Sequence, residues 1–465
     1  MRNGTLLGPP WRHIVAVSVA GAMLASCHRS TTPPNVLLYV VDTLRFDAVH
    51  CNGNAAVQTP AMDRLAREGV RFERAYANAS WTRASMGSLL TAQYPTVHGA
   101  VGRHDALRPG LPTLAAQLRA LGYRTAAIVA NPNIGSTFGF GAGFDEFIEL
   151  YQPHTTHAAV RPEQLIATGD QVVDRAREWL AHNTARPFFL LVFTIDPHAP
   201  YMPPAPYNAL YDPEYHGPTD GSFKSLFALA MLGKTPPERE IRHLRALYDG
   251  EAAFNDAQLL RLLASLDADR RLSDSTVVGV TADHGEEFWE HGERDHGHTL
   301  YEELIHVPLI MRWPGVFQPG SAVGSLVQLA DVPPTLIRLA GGTPPPGPGH
   351  DLSGLLTGRD SRPVTSTIYA EEDLDGHRLH ALVADTRKLI VDTAKGESMA
   401  FDLSRDPGEL HALAGGAPPD LLATLYEVEA SMRSSDAAPA ATVAIPNSVR
   451  EAMNALGYTE PTVRR

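Results

Sequence analysis

The sequence is poor in cysteine and lysine, and its apolar runs are short. Among 465 residues there are only two cysteines, Cys27 and Cys51, and only four of the 39 basic residues are lysines. Two cysteines exclude a disulfide-framed fold and a zinc site made of cysteine alone, which needs about four thiolates. No segment reaches the roughly 18 consecutive apolar residues that a membrane-spanning helix requires. The formal net charge of −13 also disfavours binding to nucleic acid through a basic surface.

The remaining composition is that of a globular chain. Hydrophobic residues make up 44% of the sequence, which excludes a wholly disordered protein. The 38 glycines and 37 prolines are too few for a collagen-like or low-complexity chain. At about 150 residues per domain, the length allows one large domain or two to three ordinary ones.

The first 26 residues are predicted to be an export signal. Arg2 and Arg12 precede an apolar run over residues 14–25, which is too short to span a bilayer of about 30 Å but fits a signal peptide. The run ends in small residues before Cys27, a pattern that resembles a bacterial lipobox. We therefore expect cleavage before Cys27, a lipid on its thiol, and a protein anchored in the bacterial cell envelope, in the periplasm or at the outer membrane. The alternative is an ordinary signal peptide with an incidental cysteine.

Apolar runs alternate with segments of helical periodicity through the first two thirds of the chain. Continuous apolar runs predict strands buried on both faces, and they lie at residues 35–41, 124–130, 188–195, 275–281 and 307–311. Helical spacing predicts helices at residues 60–68, 112–121 and 238–266. This alternation indicates an α/β fold with a large, mostly parallel sheet.

The C-terminal third has a different pattern. Residues 341–349 are rich in glycine and proline and are typical of a linker, and three short strands with hairpin spacing follow within residues 367–391. We expect a small antiparallel α+β subdomain there. The predicted organisation is a signal peptide at 1–26, a tether at 27–34, a catalytic α/β domain at 35–345, the subdomain at 346–430, and a flexible tail with a short helix at 431–465.

Acidic residues follow three of the predicted strands. Asp42, Asp196 and Asp283 come directly after or within two residues of a strand end, and ligands of open α/β sheets bind at that edge. Around them the sequence holds four polar segments, at residues 42–45, 79–95, 196–201 and 282–298. Each alone has a plain structural reading, such as a helix cap or a polar turn. Together they predict one site.

The residue types in these segments suit metal-assisted ester chemistry. Carboxylates with an imidazole bind divalent cations such as Zn²⁺, Mn²⁺, Mg²⁺ or Ca²⁺. A hydroxyl beside such a cation loses its proton more easily and becomes a nucleophile. If a helix begins just after Thr82, its free N–H groups would favour an anion there.

In combination, the motifs resemble the sulfatase family of the alkaline phosphatase superfamily. The resemblance runs from about Asn35 to residues 401–410, whose sequence FDLSRDPGEL is similar to the closing motif of that family. It implies an α/β sandwich around a large, mostly parallel sheet with a small C-terminal α+β subdomain. It also implies a hydrolase of sulfate or phosphate mono- or diesters.

The resemblance places the nucleophile at Thr82. Sulfatases carry Cys or Ser, one residue, Pro, one residue and Arg, and the Cys or Ser is converted to formylglycine. In the register set by Leu89-Leu90-Thr91 and Tyr94-Pro95, the corresponding positions hold Thr82, Ala84 and Met86. Threonine is not a precursor of formylglycine by the usual route. Thr82 instead resembles the nucleophile of the phosphodiesterase, phosphatase and phosphoglycerol-transferase branches, which attacks directly.

The same resemblance implies a metal site formed by Asp42, Thr82, Asp283 and His284, as in lipoteichoic-acid-synthase-like transferases. A second cation held by Asp196 and His198, with His296 or His298, is one alternative. In the other, His198 and His296 are substrate ligands or a general acid for the leaving group, with Asp196 and His298 facing the substrate.

Two further residues are predicted to meet the substrate. Asn131, at the end of a strand, would donate a hydrogen bond to a non-bridging oxygen, and Arg83 would either pair with the anion or face solvent. The predicted substrate is a small-molecule, glycan or lipid ester. Two alternative functions remain. One is a transferase that moves a phosphoglycerol or phosphoethanolamine group onto envelope lipids or glycans, and the other is a non-catalytic protein that binds anionic glycans.

Overall fold

A computed structural model describes residues 33–151, 165–433 and 441–458, together with positions 1 and 4. Cys27 and nearly all of the predicted signal peptide lie outside the described residues, as do residues 434–440 of the predicted tail. Within the described part of the chain, no helix is both long and apolar enough to cross a membrane.

Strands and helices alternate along the described chain. The strands are β1 Asn35–Val41, β2 Val70–Tyr76, β3 Asp105–Ala106, β4 Arg124–Val129, β5 Glu146–Glu149, β6 Phe188–Thr194, β7 Thr276–Ala282, β8 Glu287–Phe288, β9 Arg294–Asp295, β10 His306–Arg312, β11 Ser321–Gln328, β12 Thr367–Glu372, β13 Leu379–Ala384, β14 Arg387–Asp392, β15 Glu397–Asp402 and β16 Ala441–Thr442. The α-helices are α1 Pro60–Glu68, α2 Thr82–Thr91, α3 Pro95–His98, α4 Leu114–Ala120, α5 Gly169–His182, α6 Phe223–Ala230, α7 Glu238–Asp267, α8 Arg270–Asp274, α9 Glu302–Ile305, α10 Val332–Leu339, α11 Ser353–Leu356, α12 Pro419–Arg433 and α13 Asn447–Ala455.

The core of the fold is an eight-stranded sheet in the order β11-β2-β10-β7-β1-β6-β4-β5. Strands β7, β1, β6, β4 and β5 are parallel neighbours, whereas β10 runs antiparallel to both β7 and β2. The predicted large, mostly parallel sheet is therefore confirmed.

Burial explains why the central strands are visible in the sequence. Every residue of β1, β6 and β7 is buried, on both faces of the sheet, so these strands are apolar without alternation. Helices α1, α5 and α8 each contact α7, and α2, α4 and α10 form a second group. Strands β2 and β11 carry exposed and half-buried residues, so no continuous apolar run marks them in the sequence.

The C-terminal subdomain is a separate antiparallel sheet in the order β12-β13-β14-β15. Three of its strands match the predicted hairpins. The fourth, β15, ends in the first two residues of the segment 401–410 that resembles a closing motif. The small C-terminal subdomain is thus confirmed, while its predicted boundaries remain predictions.

One buried lysine joins this subdomain to the catalytic part of the chain. Lys388 on β14 is fully buried, and its Nζ lies 3.1 Å from Glu302 on α9 and 3.1 Å from Glu409. Burial alone would lower the pKa of Lys388, but Glu409 and Glu302 outweigh it and hold the pKa above its ordinary value. Glu409 also accepts a hydrogen bond from the backbone N–H of Glu302, at 2.6 Å. This ion cluster explains the glutamate near the end of the closing motif.

We predict that Lys388→Met lowers the free energy of unfolding by about 3–5 kcal/mol, because it leaves the buried carboxylate of Glu409 without its ion-pair partner and removes one partner of the half-buried Glu302. Lys395→Met is the matched control, since Lys395 is exposed and pairs only with Asp392 on the same sheet. Urea unfolding followed by circular dichroism measures both variants. Equal stability of the two variants would contradict the structural role of Lys388.

Candidate active site

The register of the parallel strands brings two carboxylates together. Val41, the last residue of β1, pairs with Thr194 of β6 and Ala282 of β7, so these three strands end at the same level. Asp42 and Asp283 are the next residues after β1 and β7, and both are fully buried. The expectation that acidic side chains meet at this edge is correct for these two residues.

The strained turn after β1 supplies a backbone hydrogen bond to Asp283. Thr43 has a φ of 56°, a left-handed conformation that is unfavourable for a β-branched residue. Its N–H donates to Asp283 Oδ1 at 3.1 Å, and its carbonyl accepts from the Tyr248 hydroxyl at 2.7 Å. The strain therefore turns a backbone donor toward the second carboxylate.

His284 presents one ring nitrogen to the two carboxylates. Its Nδ1 lies 2.8 Å from the carbonyl oxygen of Gly285 and donates to it, which leaves the lone pair on Nε2. Nε2 lies 3.4 Å from Asp283 Oδ2 and 3.9 Å from Asp42 Oδ1. Gly285 is required here because a Cβ at that position would lie 1.9 Å from the backbone oxygen of Glu303.

Two buried oxygens in this cluster have no hydrogen-bond partner. They are Asp42 Oδ1 and Asp283 Oδ2, the same atoms that face His284 Nε2. One ligand atom from each of Asp42, Asp283 and His284 lies within 4.8 Å of the others. Burial and the neighbouring Asp283 raise the pKa of Asp42 well above its ordinary value. Orphaned carboxylate oxygens beside an imidazole lone pair are the donor set that a divalent cation needs, so these residues fit a metal ion.

Thr82 is the first residue of α2 and lies at this cluster. Its Oγ1 is 3.3 Å from His284 Nε2, and its side chain is fully buried. Hydrogen bonds hold the start of α2 in place, since Ser80 binds Glu372 Oε2 and the Ser85 hydroxyl donates to the Asp283 carbonyl. The first N–H groups of a helix lack partners within the helix and favour negative charge, so Thr82 stands between a cation site and an anion site.

Two predicted substrate contacts are engaged elsewhere. The Asn131 amide donates to Asp42 Oδ2 at 2.6 Å, so in the structure it orients that carboxylate. The Arg83 guanidinium is buried and donates to Asn133 and to three backbone carbonyls, while its Cζ lies 3.4 Å from the Phe138 ring centroid. Both readings of Arg83 are corrected, because it neither faces solvent nor offers its guanidinium to a substrate.

Asp196 is also used structurally. Its Oδ2 accepts a hydrogen bond of 2.6 Å from the N–H of Gly169, the first residue of α5, and its burial raises its pKa to about 6. Of the described residues, the groups close enough to hold a metal are Asp42, Asp283 and His284, and separately Glu287, His291 and Glu303. The alternative of a second cation on Asp196 and His198 is therefore not supported by the geometry.

The three later histidines lie around the mouth of the site. The His296 ring packs against the His284 ring at a tilt of 39°, with centroids 4.4 Å apart, and His296 Nδ1 is 3.0 Å from Glu286 Oε1. His198 lies 5.1 Å from His296, centroid to centroid. His298 instead bonds Glu287 Oε2 at 2.8 Å. His198 and His296 therefore lie together at the site, whereas His298 binds the Glu287 carboxylate instead of facing the site.

One residue of the site escaped the sequence analysis. The Tyr458 hydroxyl lies 2.9 Å from His198 Nε2 and 3.0 Å from His296 Nε2. Burial and the charge of Asp42 raise the pKa of Tyr458 well above its ordinary value, and a hydrogen bond with Thr82 opposes that rise. One local feature of the sequence could have indicated it. Gly457 is a helix-ending glycine directly before Tyr458, and such a glycine fixes the direction of the next residue even in a tail that is expected to be flexible.

Comparison with known families decides the identity of the fold and its chemistry. A family model for sulfatases matches residues 34–342, which is more than half of the chain. The chain belongs to the sulfatase family. A second model, for the C-terminal part of N-sulphoglucosamine sulphohydrolase, matches residues 289–429 of this sulfatase family member.

Similar proteins cover more than four fifths of this sulfatase family member. An arylsulfatase from Clostridium perfringens is 26% identical over 432 residues, covering 81% of this chain and 89% of the relative. A multifunctional alkaline phosphatase superfamily protein from Trinickia caryophylli is 26% identical, covering 83% and 92%. The solved phosphonate monoester hydrolase of Agrobacterium radiobacter superposes with a TM-score of 0.70 at 23% identity, covering 86% of this chain and 95% of that one.

Family membership confirms the resemblance and the predicted fold. It makes the chain a metal-dependent hydrolase of the sulfatase family. Among the described residues, the buried cluster of Asp42, Asp283 and His284 fits such a metal ion.

We predict that Asp283→Asn loses bound metal while Asp196→Asn keeps it. Both replace a carboxylate near a strand end, but only Asp283 faces the cluster, whereas Asp196 caps α5. Metal per protein after dialysis, measured by inductively coupled plasma mass spectrometry, separates the two variants. Retention of metal by Asp283→Asn would contradict the assignment.

Proposed function

We propose that the protein hydrolyses a phosphate or sulfate ester by direct attack of the Thr82 hydroxyl. The observation that carries this proposal is the position of Thr82 Oγ1, 3.3 Å from His284 Nε2 and at the first turn of α2. No cysteine stands at this position, and threonine is not converted to formylglycine by the usual route. The hydroxyl of this chain therefore takes the nucleophilic role itself.

Asp42, Asp283 and His284 would hold a divalent cation, with Thr82 facing it. When bound, such a cation lowers the pKa of a neighbouring hydroxyl and offsets negative charge on the ester. Asn131 keeps Asp42 oriented, and the N–H groups of Thr43 and His284 do the same for Asp283 Oδ1. The free N–H groups at the start of α2 bind the non-bridging oxygens of the ester.

The steps then follow from this arrangement. The Thr82 hydroxyl gives up its proton as its oxygen bonds to phosphorus or sulfur, and the bond from that atom to the leaving-group oxygen breaks. The departing oxygen leaves on the side of His198 and His296, and it gains the proton that Thr82 released, relayed by one of these two imidazoles. Water then hydrolyses the ester on Thr82, releases the inorganic anion and restores the hydroxyl.

We predict that Thr82→Ala abolishes turnover but keeps the bound metal, because two carboxylates and the imidazole remain. Thr91→Ala is the matched control, since Thr91 lies at the other end of α2 and its hydroxyl only bonds the carbonyl of Gly87. Steady-state kinetics with aryl phosphate, aryl sulfate, phosphodiester and phosphonate substrates, each with different divalent metals, measures both variants.

The same measurement separates the competing functions. Turnover that survives in Thr82→Ala would contradict the nucleophile. Product carrying an alcohol acceptor in place of water would favour the transferase alternative, and a metal-free purified protein without turnover would favour a binding protein.

We also propose that Cys27 carries the lipid that anchors the mature protein to the cell envelope. The small residues before Cys27 support this, and an anchored enzyme would meet glycan or lipid esters of the envelope. One solved relative of similar fold is described with D-glucosamine-2-N,6-O-disulfate as its substrate, which supports a sulfated glycan as one candidate class.

We predict that Cys27→Ser releases the protein from the membrane fraction, whereas Cys51→Ser does not. Cys51 is the matched control because it is a free, half-buried cysteine in the folded part of the chain. Metabolic labelling with a fatty acid, followed by fractionation, measures both. Label retained on Cys27→Ser would contradict the lipid site.

A further inference from the structure

The C-terminal segment reaches into the site by a defined route. Strand β16 pairs with β3, and the N–H of Val443 donates to the carbonyl of His104 at 2.9 Å. Helix α13 then buries Val449, Ala452 and Met453 against the body of the protein. The segment is therefore attached by a two-residue strand and one short helix.

The end of α13 fixes where Tyr458 points. Gly457 has a φ of +85°, its N–H donates to the carbonyl of Asn454, and the N–H of Tyr458 donates to the carbonyl of Met453 at 3.0 Å. This is the hydrogen-bond pattern of a glycine-capped helix end, which holds the residue after the glycine in one direction. Tyr458 is thus directed into the site by backbone geometry.

Two imidazole nitrogens converge on one hydroxyl oxygen. His198 Nε2 and His296 Nε2 lie 2.9 and 3.0 Å from Tyr458 Oη, so together they form a binding place for a single alcohol oxygen. Each ring is held from its other nitrogen, His198 by the Ala199 carbonyl at 2.7 Å and His296 by Glu286. The nitrogens would keep this orientation if Tyr458 left.

The surrounding cavity has the volume for a small molecule. It measures about 600 Å³, and Phe223, Phe227 and Leu374 contribute apolar walls. Residues 454–458 form the remaining side of the same cavity. The two regions that match family models end at residues 342 and 429, before this segment.

We propose that Tyr458 occupies the leaving-group position of the proposed function, between His198 and His296, as an internal mimic of a phenolic product. The leaving group of an ester departs as an alcohol or phenol, and Tyr458 presents a phenol oxygen at that place beside Thr82. Substrate then binds when residues 447–458 move away. This inference rests on the proposed function, because that function assigns this place to the leaving group.

Binding of 4-nitrophenol to the full-length metal-loaded protein tests the proposal without turnover. We expect Tyr458→Ala to bind it about tenfold or more tightly than the wild type, because apparent affinity falls with the fraction of molecules whose subsite is closed. Glu451→Ala, an exposed change on the same helix, should bind it as the wild type does. The double variant Tyr458→Ala/His296→Ala should lose the gain. Calorimetric titration measures all four proteins.

Equal affinity in wild type and Tyr458→Ala would overturn the proposal, as would a gain that survives the loss of His296. With an aryl ester as substrate, Tyr458→Ala should lower KM without lowering kcat. A large fall in kcat at unchanged KM would instead make Tyr458 part of the reaction and contradict the proposal. Failure of Thr82 as nucleophile would leave the phenol titration unaffected, so the two proposals fail independently.

Discussion

Asp42 and Asp283 are buried next to each other without a countercharge, and the rest of the site depends on this arrangement. Burial raises the pKa of both carboxylates, so their ionised forms are stable only with a cation or with several donors around them. The structure supplies donors to one oxygen of each carboxylate and leaves the other oxygen unpaired. The parallel register of β1 and β7 creates this proximity, the strained turn at Thr43 refines it, and His284 completes it. The proposed role of Thr82 depends on its position beside this cluster.

The polar residues around the cluster divide into those that face it and those that build the scaffold. Arg83 follows the proposed nucleophile in sequence, yet its guanidinium binds backbone carbonyls and packs on the Phe138 ring. Asp196 follows a strand as Asp42 does, but it caps α5. The hydrogen-bond partners of a charged residue, and not its position in the sequence, therefore show whether it faces the site or supports the fold.

Much of the fold could be predicted from the sequence because the central strands are buried on both faces. Their continuous apolar runs end at the residues that carry the chemistry, so Asp42 and Asp283 could be placed at one edge. The direction of a side chain could not be predicted in this way. Asp196 and Asp283 both follow a buried apolar strand, yet only Asp283 points into the cluster. Tyr458 could not be predicted either, because its place in the site arises from a helix end far along the chain, and no periodicity connects residue 458 with residues 198 and 296.

The central claim is that a threonine attacks the ester directly in a family whose usual nucleophile is made from cysteine or serine. Rapid quenching of the reaction with an aryl ester, followed by peptide mass spectrometry, tests it most directly. We expect the added mass of one phosphoryl or sulfuryl group on the peptide that contains Thr82, and on that residue within the peptide. A label on another residue, or a formylglycine at residue 80, 82 or 85, would contradict the account.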